Sequence, residues 1–215
     1  MTDKPILFSA PMVRALLAAT KTQTRREIKP RGTRPSIFNG GWTDSYVLDP
    51  GNESWRRQDI RVATGDRLWV KETWAPLTAV THNDPGTQAI ADGGFYRADE
   101  GTVDGEVSKW KPSIFMPRHA SRLTLTVTDV KVERLQDISE ADAKAEGAIP
   151  YHCAASKLDY YGPTHAMCGQ DHRAGFCQIW EKINGIDSWN ANPWVVAYTF
   201  TVQRGNIDQI ERVAA

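Results

Sequence analysis

The stretch from Arg122 to Glu133 constrains the fold more than any other part of this chain. Leu123, Leu125 and Val127 alternate with Thr124, Thr126 and Thr128, the two-residue period of a strand with one buried face. Val130 and Val132 then continue on the opposite phase. A strand that changes its inward face midway needs a bulge or bend, here near Thr128-Asp129, and a closing barrel uses such bends.

The flanking signals assemble around that strand. Ile6-Leu7-Phe8 reads as a short strand, and Ser9 and Pro11 open a helix whose apolar face is Met12, Val13, Leu16 and Leu17. Thr64-Gly65-Asp66 is a turn feeding a strand, Arg67 to Trp74, with Leu68, Val70, Glu72 and Trp74 on one face. Gly94 to Arg97 reads as a brief strand. Ser139 N-caps a helix that Gly147 stops. A further helix covers Phe176 to Ile183, and Pro193 to Val202 is the last strand. Residues 29–66 read mostly as loop with brief strands, and 76–92 as loop.

The expectation is one α+β domain over 1–215, a small mixed β-barrel with two or three short helices. Its core covers about 5–28, 62–75, 94–98, 120–147 and 174–203, with loop insertions at about 29–61, 76–93, 99–119 and 148–173.

The densest chemistry lies in Lys21-Thr22-Gln23-Thr24-Arg25-Arg26. From Lys21 to Arg34 six Lys/Arg stand against one acid, Glu27. An amine, hydroxyls and guanidiniums this close can grip a phosphate or polarise a carbonyl, although a charge run is more often a solvated turn. The whole chain is neutral, but residues 1–70 hold twelve Lys/Arg against seven Asp/Glu, a net +5. The neutral total argues against a bulk nucleic-acid coat protein and allows one basic groove. No apolar run approaches the ~18 residues of a membrane span, and Met1 to Phe8 is too short an apolar stretch for a signal peptide. Three cysteines form no disulfide framework, so the expected compartment is the cytoplasm.

Taken in order, these pieces resemble the ASCH family, a branch of the PUA-like barrels. The resemblance rests on the helix followed by Lys21-Thr22-x-Thr24-x-Arg26, on Thr64-Gly65-Asp66, on Ile138-Ser139-Glu140 through Ala143 to Glu146, and on Tyr198-Thr199-Phe200. The longer ASCH-like proteins of phages and prophages are similar in Gly65 to Trp74, Pro112 to Arg118 and Ser188 to Trp194. The family is thought to act on RNA or its nucleosides. A smaller bacterial branch hydrolyses the acyl amide of N4-acetylcytidine, and the resemblance puts its catalytic lysine, threonine and glutamate on Lys21, Thr24 and Glu146.

Amide hydrolysis needs a nucleophile, a base and a proton donor. Thr24 could supply the hydroxyl or orient a water. Lys21 serves as base only if burial or neighbouring cations lower its pKa. Glu146, at a helix C-terminus, would be pushed toward the protonated form by the helix dipole. Arg25 and Arg26 are candidate ligands for phosphate or carbonyl. Trp69 and Trp74 could stack on a base, and Glu72 is either a paired inward carboxylate or a pocket group. Arg118 and Arg122, near Lys109, Lys111 and His119, are candidates for nucleic-acid backbone contacts. Trp180, Trp189 and Trp194 belong to the core.

No cofactor is required. A structural zinc at Cys153, Cys168, His172 and Cys177 is the alternative use of a Cys/His-rich stretch, though the spacing holds no C-x-x-C pair. The expected partner is a modified nucleoside or RNA, with DNA open and no membrane. A non-catalytic RNA- or DNA-binding module and a ribonuclease are the competing functions.

Overall fold

The computed structural model describes residues 2–30, 32–79, 86–99, 107, 109–150 and 171–211. In chain order the elements are β1 (Asp3–Leu7), α1 (Ala10–Leu17), β2 (Gln23–Glu27), α2 (Asp44–Leu48), α3 (Glu53–Arg56), β3 (Arg67–Lys71), β4 (Trp74–Ala75), α4 (Gly86–Asp92), β5 (Phe95–Tyr96), β6 (Leu123–Arg134), α5 (Glu140–Ala145), α6 (His172–Asn184) and β7 (Trp194–Arg204). The class is α+β, as expected. One five-stranded sheet has the order β1-β3-β6-β7-β2, and β4 pairs with β5 separately. The order has two ends, β1 and β2, so the described pairings form an open sheet and not the expected closed barrel. No helix among the described residues is long and apolar enough to cross a membrane.

The chain divides into two compact units: residues 1–20, 62–129 and 200–215, and residues 21–61 and 130–199. In the first, β1 runs parallel to β3, pairing Asp3 with Arg67 through Leu7 with Lys71. Asp66 pins this start. It accepts hydrogen bonds from the Thr2 amide (2.6 Å), the Ala63 amide (3.1 Å) and Lys4 Nζ (2.5 Å). The turn signal at Thr64-Gly65-Asp66 is thus also a clamp on the N-terminal strand. Leu68, Val70, Glu72 and Trp74 are all buried, but the expected strand to Trp74 ends at Lys71, and Trp74 belongs to β4 in the separate pairing with β5. Val13 and Leu16 of α1 are buried with them, while Leu17 stays exposed.

In the second unit β2 runs antiparallel to β7, with Thr24 opposite Tyr198 and Arg25 opposite Ala197. Its core gathers Leu135, Ile138, Ala143, Phe176, Cys177, Trp180, Trp189 and Val195. Gly175 lets α6 approach the backbone: a Cβ there would lie 2.0 Å from the Ile149 carbonyl oxygen.

Other elements depart from the sequence expectation as well. Residues 29–66 hold two short helices, α2 and α3, where loop with brief strands was expected; Thr43 caps α2 by accepting from the Tyr46 amide, and Asp49 accepts from the Gly51 amide in the turn before α3. Residues 86–92 form α4 rather than loop. Strand β6 runs unbroken from Leu123 to Arg134; Glu133 is buried on the phase of Leu123, Leu125 and Val127, while Val130 and Val132 are only half-buried.

Candidate active site

The site grows from the C-terminal end of α5. Ser139 caps the start of that helix by accepting from the Asp142 amide at 3.1 Å. Gly147, at φ +80°, ends it in the left-handed region that suits glycine. The last carbonyls of a helix lack intrahelical partners and carry the negative end of its dipole. Here the segment before β2 satisfies two of them. The Thr22 amide donates to Ala145 O at 2.8 Å, and Lys21 Nζ donates to Glu146 O at 2.8 Å.

The same ammonium reaches the side chain of Glu146, Nζ to Oε2 at 2.6 Å. Both residues are nearly sealed from water, Lys21 at 1% exposure and Glu146 at 4%. Burial lowers the pKa of Lys21 below the ordinary lysine value. The cations of Arg26 and Arg25 push the same way, and Glu146 opposes them. That is the direction a lysine base requires. Glu146 differs from expectation in its surroundings: it is a buried partner of two cations, not a carboxylate exposed to the helix dipole alone.

Arg25 is the second cation. Its Nη1 lies 3.2 Å from Glu146 Oε1 and 2.6 Å from Gln23 Oε1. Its Nε and Nη2 both donate to Glu133 Oε1, at 2.9 and 2.6 Å, and Nη2 is 3.2 Å from Asp142 Oδ2. The guanidinium lies 5.9 Å from the Phe176 ring centroid. A guanidinium so enclosed has no geometry left for a phosphate, so the phosphate-ligand expectation for Arg25 is replaced by a carboxylate clamp. Strand alternation puts Thr24 and Arg26 on the other face of β2 from Gln23 and Arg25. Thr24 is buried and Arg26 half-buried. The structure thus joins Lys21, Arg25 and Glu146 directly and sets Thr24 and Arg26 side by side on the alternate face.

The remaining candidates lie in the first unit. Arg122 is buried and bound to Glu72 (Nε to Oε1 3.0 Å), Asp92 (3.1 Å) and Asp99 (2.8 Å), with its guanidinium 3.9 Å from the Tyr96 ring centroid. It is an internal ion-pair centre, which overturns the expectation of a nucleic-acid contact and settles Glu72 as its structural partner. Arg118 is 37% exposed but held by Asp208 (2.6 Å) and Asp3 (2.7 Å). Trp74 is buried with Tyr96, Met116 and Ala120, so stacking on a base is sterically closed to it. Trp69 is half-buried, with the Lys71 ammonium 5.4 Å from its ring centroid. Trp180, Trp189 and Trp194 are core residues, as expected.

Of the zinc candidates, Cys153 and Cys168 lie outside the described residues. Cys177 packs in the apolar core, and burial pushes its thiol up to about 12, unlike a metal-ready thiolate. His172 Nδ1 lies 2.7 Å from Ala148 O. Among the described residues no group of three or more His, Cys, Asp or Glu is placed to hold a metal ion.

Sequence reasoning missed Glu133 and Asp142. One signal was available: Lys21, Gln23 and Arg25 share a two-residue period, so their inward face demands buried acceptors. Comparison with family models, curated proteins and solved structures finds no match to the chain.

Proposed function

We propose that this is an ASCH-type protein of PUA-like architecture that hydrolyses the acyl amide of N4-acetylcytidine or a related modified base. The observation that carries the reading is the buried contact of Lys21 Nζ with Glu146 Oε2 at 2.6 Å. It joins two motifs 125 residues apart that the resemblance had marked as catalytic.

Away from water both charges are costly. Moving one proton from the ammonium to the carboxylate supplies the amine and the acid that the reaction uses. The amine is then the general base and the acid the proton donor. Lys21 takes the proton of the nucleophile, either the Thr24 hydroxyl or a water that Thr24 orients. The nucleophile's oxygen bonds the acyl carbon, the C–N bond breaks, and the departing amine takes the proton from Glu146. If Thr24 is acylated, a water then cleaves the ester. The sum is amide plus water to carboxylic acid plus amine. Arg26 supplies a cation on the Thr24 face, suited to the negative charge that develops on the carbonyl oxygen.

The reading needs no cofactor and describes a cytoplasmic enzyme. It favours a nucleoside over a phosphate polymer, because Lys21 and Arg25 are spent on carboxylates. The test is incubation of the purified protein and Lys21→Ala with N4-acetylcytidine, read by mass spectrometry. Cytidine is expected from the parent alone. Absence of cytidine with the parent, or equal turnover by Lys21→Ala, sinks the proposal. RNA cleavage that depends on Lys21 would replace it with the ribonuclease reading.

A further inference from the structure

We propose that Arg25 is a positioning residue that fixes Glu146, holding one carboxylate oxygen so that the other faces Lys21. The inference rests on the reading of Lys21 and Glu146 above, and it concerns a position that the Lys21-Thr22-x-Thr24-x-Arg26 pattern leaves open.

The geometry is that of a fork anchored on two sides. The prongs facing β6 and α5 hold Glu133 and Asp142, and Nη1 holds Gln23 of its own strand and Glu146 Oε1. Glu146 therefore has its two oxygens assigned to different cations, Oε1 to Arg25 and Oε2 to Lys21. Asp142 and Glu146 are one helical turn apart, so a single guanidinium grips two successive turns of α5. Ala197 is its cross-strand neighbour in the β2–β7 ladder, a small residue beside a large side chain. Phe176 of α6 lies near the guanidinium, which is fully enclosed. A lysine at position 25 would keep the charge and lose the fork, since an ammonium cannot make parallel planar contacts.

Among the described residues, the charged groups around the Lys21–Glu146 pair include Arg25 and Arg26 from β2, Glu133 and Lys131 from β6, and Asp142 from α5, with Tyr198 of β7 acting on Arg26. Glu146 raises the proton affinity of Lys21, and Arg25 lowers it by a smaller amount. The two roles of Arg25 predict opposite results. Loss of positioning frees Glu146 and drops the Lys21 titration midpoint. Loss of charge alone raises it.

The experiment follows the Lys21 Nζ resonance by NMR in lysine-labelled protein, assigned with Lys21→Arg, over a pH titration of the parent and Arg25→Lys. The expected result is a fall in the proton affinity of Lys21 of at least about threefold, a shift of about half a pKa unit. Cytidine release, where the parent shows it, is expected to lose kcat with little change in KM. An unchanged or raised midpoint in folded Arg25→Lys overturns the proposal. If Arg25→Lys does not fold, Arg25→Met with Glu133→Gln removes one charge of each sign and is read the same way. Because the titration needs no substrate, failure of the hydrolase reading and failure of this one are separable.

Discussion

Lys21 is held by two features of one helix end, a carbonyl and a carboxylate belonging to the same residue, Glu146. Removing the carboxylate leaves a buried cation facing a neutral group. Glu146→Gln is therefore expected to cost about 3–5 kcal/mol, read by chemical denaturation. A smaller loss, under about 1 kcal/mol, would mean that water reaches the pair. The lowered pKa of Lys21 also has a definite sign. Between its folded value and the free lysine value of 10.5 the folded chain binds fewer protons than the unfolded chain. Stability contributed by this group therefore rises with pH across that window. Lys21→Met should flatten the rise in the alkaline window that ends at 10.5, measured as denaturation midpoints of both proteins.

Elements are where local sequence and packing meet. Gly175 sits in α6 against the Ile149 carbonyl, and the obstruction is backbone, which moves less readily than a side-chain tip. Gly175→Ala is expected to destabilise by about 1–3 kcal/mol despite the better helix propensity of alanine. A gain in melting temperature would show that the helix can back away. Asp66 tests the start of β1 and β3. Burial opposes its charge, yet hydrogen bonds from Lys4, the Ala63 amide and Thr2 outweigh that and hold its carboxyl well below the usual range. A depressed carboxylate stabilises the fold above its free value of 3.8 and loses that contribution as pH falls toward the folded value. Asp66→Asn should cost about 2 kcal/mol at neutral pH and weaken the acid dependence, seen in denaturation midpoints across an acid titration.

At the scale of the whole molecule, several cations of the first 70 residues are matched by carboxylates. Lys4 pairs with Asp66, Arg67 with Asp3, Arg34 with Asp59 and Arg25 with Glu133. Cations already matched by carboxylates release few counterions from a nucleic acid. RNA oligomers are accordingly expected to bind with a shallow dependence on salt in fluorescence anisotropy. A steep slope would return the weight to a phosphate-gripping module. The two buried arginine centres also lie in different units, Arg25 in one and Arg122 in the other.

The elements set by neighbours in sequence were legible. Ser9 and Pro11 start α1, Ser139 and Gly147 bound α5, and alternation marks β6, because capping and strand periodicity act over a few residues. The Lys21–Glu146 pair was legible only through resemblance, since no local rule links residues so far apart. Helix α2 escaped because Thr43 serves turns and caps equally well, and α3 has no side-chain cap to announce it. The sequence by itself determined where α1, α5 and β6 lie, and which residues of β3 and of the first half of β6 turn inward. Only the tertiary structure decided that Arg25 and Arg122 are internal clamps, that Trp74 is closed to a ligand, and that the five strands leave an open order. Those outcomes depend on partners brought from distant segments, such as Glu133 at a separation of 108 residues. Burial makes such partners obligatory without saying which they are.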